Sequence, residues 1–428
     1  MTRFAFLDIT ADRFRAWQRG PASLPIPIKL DHDRDTLPLA IRGDQRKWQI
    51  GHAALQISRQ CPHLFWAGFL NGLNEPKTMT LGRHRIAPDE AIQLHLQQIK
   101  ECLGSCRQLL MAVPAYLQPS QVDRLEQMAR DLGWDLLGII PRGLLIAQAI
   151  HEEEQPWKEL GVLADVDDAG LSLHVIRPSM HDLHLVQERH LPLLGRLRWL
   201  DCLIDAAATA SIHLHRRDPR SDPHSDQEIF DQAQGWLRQL QQGKEITIRF
   251  TPTHRTLPYE LTLRRAQAEN MCLSLCQRAA MEWLHLLKQV DPKLTHGSLR
   301  CSKDVAELPG LLSFVQSLVK ARLDVCIAED SYPAMALRLA DSISRKERHR
   351  IAYATKCISL PDAEFIFDAR TTGLKKNTTV SEPEFTFDAP HTLPFPQEPW
   401  LIKKPMAEPL PDSDLRQLPK RQRPAQDE

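Results

Sequence analysis

No window of about 18 uninterrupted apolar residues occurs in the 428-residue chain, so no segment reads as a membrane-spanning helix. The opening MTRFAFLDIT lacks an apolar run long enough for a secretory leader, and we expect a cytoplasmic protein. Net charge is also missing, with Lys+Arg and Asp+Glu at 54 each. That balance removes the global field that draws a protein to nucleic acid or to an anionic membrane, and neither is expected as a partner. The short basic clusters at Arg345–Arg350 and Lys420–Arg423 read as a solvated helix end and a charged tail. Nine cysteines scattered from Cys61 to Cys357 are odd in number and make no disulfide framework, which fits a reducing compartment. The motifs G-x-S-x-G, H-E-x-x-H and G-x-x-x-x-G-K-[ST] are absent. His181, His184 and His190 do not make a metal site. On a strand the first two point to opposite faces, and the last two lie about 20 Å apart. Cys102 with Cys106, and Cys272 with Cys276, sit one helical turn apart and read as small buried residues.

What is present has the composition of a soluble globular protein, 42% hydrophobic and 25% charged. Alternation around Phe4, Phe6 and Asp8 predicts an opening strand or hairpin. Pro88–Leu103 reads as a helix with acidic first-turn residues, and Leu109–Val113 as a buried strand. A helix over Ser120–Leu132, N-capped by Ser120, precedes a strand over Leu136–Ile140 and an apolar helix over Leu144–Ile150. The pattern then restarts with strands at Gly161–Asp165, Leu171–Ile176 and Leu183–Glu188, and a helix over Leu197–Ala208. An exposed polar loop, HRRDPRSDPHSD, and helices over Asp226–Gln241 and Leu263–Gln289 follow as an insertion. A strand–helix–strand–helix series from Leu294 to Ser344 ends the second half. This is an α/β chain with parallel pairing, built from two like halves.

MAVPAYLQPSQ (Met111–Gln121), GHAALQISRQCPHLFWAGFLNG (Gly51–Gly72), TLRRAQAE (Thr262–Glu269) and LTHGSLR (Leu294–Arg300) together resemble the ATPase domain of the DnaK-type heat-shock chaperones, in that family's order across roughly residues 1–345. MAVPAYLQPSQ (Met111–Gln121) with the following LEQMARDLGWDLLGII is similar to the family's VPAYF segment. GHAALQISRQCPHLFWAGFLNG (Gly51–Gly72) is similar to its G-x-A-A…K-R-L-I-G stretch. Leu194–Gly195 before a helix, TLRRAQAE (Thr262–Glu269) and LTHGSLR (Leu294–Arg300) are weaker matches. The resemblance implies a two-lobed, actin-like (ribonuclease H-like, duplicated) α/β fold. One lobe would cover 1–152 and the second 153–353, with an inserted subdomain at about 210–290. A disordered tail would follow over 354–428.

The same resemblance implies a nucleotide cleft made by Asp8, Thr10, Asp165, Gly170, Gly297, Ser298 and Arg300. In the family two glycine-rich hairpins approach the phosphates, because without a Cβ the backbone N–H groups reach an anion directly. Here the first hairpin reads Asp8-Ile9-Thr10-Ala11-Asp12, and the second Asp165-Val166-Asp167-Asp168-Ala169-Gly170. Like charges ~4 Å apart repel by roughly 4 kcal/mol at an effective dielectric of ~20, so Asp167 and Asp168 disfavour polyphosphate. The family's lysine falls on Gly68, its glutamate on Arg142, and one glycine of the adenosine clamp on His296. Arg142 is expected to pair with one of the new aspartates. We therefore expect a degenerate DnaK-like pseudo-ATPase, leaning away from enzyme, with no catalytic residue, no metal site and no cofactor. The alternative is a diverged ATPase that binds ATP with Mg and assists folding. Only a proline-rich tail follows the ATPase-like region, so client-peptide binding in the family's manner is not expected.

Eleven of the 31 prolines fall in residues 361–428, which reads as a disordered or extended tail. Within it Glu364-Phe365-Ile366-Phe367-Asp368-Ala369 recurs as Glu384-Phe385-Thr386-Phe387-Asp388-Ala389. Phenylalanines two apart share one face of an extended chain. Two readings stand: the copies pack on the protein's own surface, or they dock on a protein partner as an added strand. On the second reading, Ser at Phe365, Phe367, Phe385 and Phe387 leaves the melting temperature of the folded body nearly unchanged while a partner is lost from pull-downs. A fall of many degrees places these rings in the protein's own core instead.

Overall fold

Phe4–Ile9 is buried along its whole length, so both faces of this strand must be covered. Its odd residues, Ala5, Leu7 and Ile9, join one apolar cluster, and its even residues Phe4 and Phe6 join another. This division fixes where Asp8 goes, as the next even residue. The computed structural model describes residues 4–345, together with 356–358. Short stretches at 22–23, 44–46, 155–156, 158–159, 179–181, 254–256, 291–296, 319–322 and 328–330 are outside the described residues, as are both EFxFDA segments.

The first large sheet runs Asp135–Pro141, Gln108–Val113, Phe4–Ile9, Arg13–Arg19, Pro25–Pro27, with Thr36–Pro38 also on Arg13–Arg19. Phe4–Ile9 pairs parallel with Gln108–Val113 and antiparallel with Arg13–Arg19. The second runs Leu323–Ile327, Gly297–Cys301, Gly161–Val166, Leu171–Pro178, Asp182–Leu191, Lys356–Ile358. Gly161–Val166 likewise pairs parallel with Gly297–Cys301 and antiparallel with Leu171–Pro178. Counted within each half, the principal strands of both sheets stand in the order fifth, fourth, first, second, third. The mixed α/β class follows from these pairings.

Pro88–Leu103 and Pro119–Asp131 cover one face of the first sheet through Ala91, Ile92, Leu96, Val122 and Leu125. The second of these starts at Pro119 with Gln118 as N-cap, not Ser120: proline's fixed φ and missing N–H suit the first helical position. On the other face lies Arg142–Ala149, all eight residues of which are buried. Its Leu144, Leu145 and Ile146 pack in one cluster with Phe4, Phe6 and Leu110 of the first sheet and Leu163, Ile176 and Leu183 of the second. Burying each such side chain contributes about 1.5–3 kcal/mol. Tyr332–Ser344 closes the same cluster through Tyr332, Met335 and Leu339. The last helix of the second half thus packs against the opening strand of the first.

The insertion differs in detail from the sequence reading. A single helix over 226–241 is broken at Gly235 into Pro223–Ala233 and Trp236–Gln241. The stretch read as helix from Leu263 contains the end of a hairpin, Ile246–Phe250 with Tyr259–Leu263, and then two helices, Arg265–Met271 and Leu273–Val290. Strict alternation of buried Ile246, Ile248 and Phe250 is a strand period that the helical reading passed over. The expected polar loop carries a short turn at Pro219–Ser221 and the start of Pro223–Ala233. No helix among the described residues is long and apolar enough to cross a membrane.

Candidate functional site

Asp8 and Asp165 are each the fifth of six residues in the opening strand of their sheet. Asp8 shares a strand face with Phe4 and Phe6, and Asp165 with Leu163; all three of these apolar residues belong to the cluster that the helix Arg142–Ala149 joins. Both carboxylates therefore arrive at the start of that helix, where Arg142 is the first residue. The Arg142 guanidinium pairs with Asp8 Oδ1 through Nε at 3.2 Å, with Asp165 Oδ2 through Nη1, and with Asp304 Oδ2 through Nη2 at 3.5 Å. Arg142 is 4% exposed, Asp8 1% and Asp165 8%, so these charges answer one another and not water. Contrary to expectation, Arg142 pairs with the two retained aspartates and not with Asp167 or Asp168.

Further cations complete the cluster. Arg15 donates to Asp8 Oδ2 at 2.8 Å and to the Tyr332 hydroxyl at 2.6 Å, while that hydroxyl donates to Asp8 Oδ2 at 2.9 Å. Arg13 bonds Asp304 at 3.2 and 3.3 Å and pairs with Asp12 at 3.2 Å. Burial alone would raise the Asp8 carboxyl, but Arg142 and Arg15 outweigh it and hold Asp8 below its ordinary value. Asp304 is held down in the same way, chiefly by Arg13 and Arg142 against burial. A positive side chain on the first turn opposes the helix dipole, so Arg142 is tolerable there only with carboxylates around it.

Asp167 has a different task. Its Oδ2 accepts from the Tyr116 hydroxyl at 2.6 Å and from the Ala11 N–H at 3.1 Å. Its Oδ1 accepts from the Ala169 and Gly170 N–H groups at 2.9 and 3.1 Å. The second hairpin is thereby tied to the first. Burial, with repulsion from Asp12, pushes this carboxyl up to about 6. A raised folded value means that the group's contribution to stability is full below the unfolded value of about 4 and is lost as pH rises through about 6.

Thr10 is buried, and its N–H and hydroxyl both bond the Arg13 carbonyl at 3.0 Å, closing the first hairpin. Gly170 lets His190 come close, since a Cβ there would stand 2.4 Å from His190 Cε1. Gly143 does the same for the helix start: a Cβ would meet His174 Nε2 at 2.4 Å. Asp8 and Asp165 thus meet at Arg142, Thr10 and Asp165 line one small space, and Gly170 is tied to the first hairpin through Asp167. Gly297, Ser298 and Arg300 do not join them. They lie in a strand whose register sets Ser298 beside Gly161, four residues, about 13 Å, from the Asp165 end. Arg300 is buried with its guanidinium 5.8 Å from the Trp157 ring centre. The segment that does reach the cluster comes after this strand: the Ser302 N–H bonds the Ala164 carbonyl at 2.9 Å, and Asp304 meets Arg13 and Arg142.

The space left between Thr10, Tyr116, Arg142, Asp165 and Asp167 is about 10 Å³, roughly what one water occupies. Farther out the walls part into a cleft of about 860 Å³, with Arg34, His52 and Gly68 on one side and Arg196, Phe230 and Asp231 on the other. Its rim is bridged. The Arg59 N–H donates to Gln227 Oε1 at 2.8 Å, Gln227 Nε2 donates to the Leu55 carbonyl at 3.0 Å, and the Arg59 guanidinium lies 4.6 Å from the Phe230 ring centre.

Replacing Arg142 by Met leaves Asp165 buried without its closest cation. Urea denaturation is expected to show a loss of about 3–5 kcal/mol, partly recovered by adding Asp165→Asn. A loss below 1 kcal/mol would mean that the cluster is solvated and does not hold the helix in place. No protein-family model matches this chain and no curated protein matches it, so the chemistry of these residues is what bears on its function.

Proposed function

We propose that this chain is a catalytically degenerate, DnaK-like pseudo-ATPase with a two-lobed actin-like body. In this reading it serves in the cytoplasm as a scaffold or regulatory module and meets a protein partner through its tail. The shared strand order of the two sheets, with Asp8 and Asp165 at equivalent places, supports the duplicated fold. The observation that carries the functional reading is Arg142 bound between those two aspartates.

In an actin-like ATPase the two hairpins hold the phosphates and acidic side chains organise the magnesium waters. The residues here do not suit that group. Both retained carboxylates are engaged by a buried guanidinium, and the Asp167 carboxylate takes the backbone N–H groups that would face an anion. The space beside them is of one-water size. Binding Mg·ATP there would require expelling a paired arginine. The second reading, a diverged ATPase that still holds nucleotide, has the outer cleft of about 860 Å³ in its favour, a volume within the usual range for ligand pockets.

Phosphate release from ATP by the purified chain is expected to equal the buffer background at every magnesium concentration. Turnover above background that disappears in Asp8→Ala would contradict the pseudo-ATPase reading.

A further inference from the structure

Apart from the Arg142 cluster, two cysteines come together where the helix Arg196–His215 meets the inserted region. Cys202 lies in the helix Arg196–His215, and Cys272 links Arg265–Met271 to Leu273–Val290. The Cys202 thiol donates to the carbonyl of Met271, the residue before Cys272, at 3.1 Å, which sets its sulfur beside the backbone of Cys272. Cysteines brought together on two packed helices meet the first demand of a disulfide, proximity of the two chain segments. We infer that Cys202 and Cys272 form a peroxide-oxidisable thiol pair, closing to a disulfide that staples Arg196–His215 to the last two helices of the insertion.

The two cysteines are unlike in ways that assign their roles. Cys202 is half-buried and open to a small oxidant, whereas Cys272 is fully buried. Interaction with Cys272 lowers the Cys202 thiol against burial, while that interaction and burial hold Cys272 up, in line with their difference in exposure. Cys202 is the attacking thiolate and Cys272 the resolving thiol. Cys276, one turn on, is buried and donates to the Pro309 carbonyl at 3.3 Å, which turns its sulfur away from this exchange.

The oxidant is hydrogen peroxide. The Cys202 thiolate attacks one oxygen: an S–O bond forms, the O–O bond breaks, and hydroxide leaves as water after protonation. The Cys272 sulfur gives up its proton and attacks the sulfenic sulfur. The S–S bond forms, the S–O bond breaks, and a second water departs. Two thiols lose two electrons and one peroxide gains them.

Treating the full-length reduced protein with a small excess of hydrogen peroxide and mapping it without reduction is expected to give one dominant linked pair, Cys202 with Cys272. In Cys272→Ser the linkage is absent and Cys202 is trapped by dimedone as sulfenic acid. In Cys276→Ser the Cys202–Cys272 linkage forms as in the wild type. Oxidation confined to Cys61 and Cys102, a Cys202–Cys276 linkage, or a Cys202–Cys272 linkage formed only in urea would each overturn the inference.

Discussion

One buried guanidinium joins the two large sheets of this protein through an aspartate in the opening strand of each. Arg142 stands at the first turn of a helix with no exposed residue, between two sheets whose opening strands each present an aspartate to it. Removing a charge from water costs several kcal/mol, recovered only when geometry and partners are good. Here the recovery comes from three carboxylates reached by three different nitrogens of one planar group, a task suited to arginine and not to lysine. The apolar part of the same helix is sealed by both sheets, so the ion cluster and the shared core stabilise the same arrangement.

That arrangement has consequences farther out. Asp167 ties the second hairpin to Ala11 and Tyr116, Asp304 ties the segment after Gly297–Cys301 to Arg13, and Gln227 bridges the cleft rim to Leu55 and Arg59. Contacts between the two halves therefore run from the deepest point of the cleft to its edge. A nucleotide-driven machine needs a cleft whose walls part for ligand exchange. On the proposed reading, a body tied at each level presents a constant surface, as a scaffold requires.

Much of the frame was legible from pattern. Pro88–Leu103 follows from its acidic first turn and apolar spacing, and the parallel strands from short buried runs between helices. Asp8 and Asp165 were identifiable because each matches the aspartate that opens a hairpin in the family the chain resembles. Arg13, Arg15, Tyr116, Asp304 and Tyr332 were not, since their partners lie up to 324 residues away along the chain. No local period encodes such a pairing. The resemblance through LTHGSLR pointed to Gly297, Ser298 and Arg300, whereas the ladder with Gly161–Val166 brings Ser302 and Asp304 to the cluster. A motif match fixes residue types but not which end of a strand faces the cleft. The strand Ile246–Phe250 was written in alternation, yet it lay between two expected helices and was assigned to no element.

The most direct test of the central claim, that Arg142 takes the place of a metal–phosphate group, is calorimetric titration of the full chain with Mg·ATP. The account predicts no binding tighter than about 1 mM, roughly −4 kcal/mol, in the wild type. An affinity better than about 10 µM, roughly −7 kcal/mol, at one site per chain would contradict it, because the cleft would then receive a nucleotide with Arg142 in place.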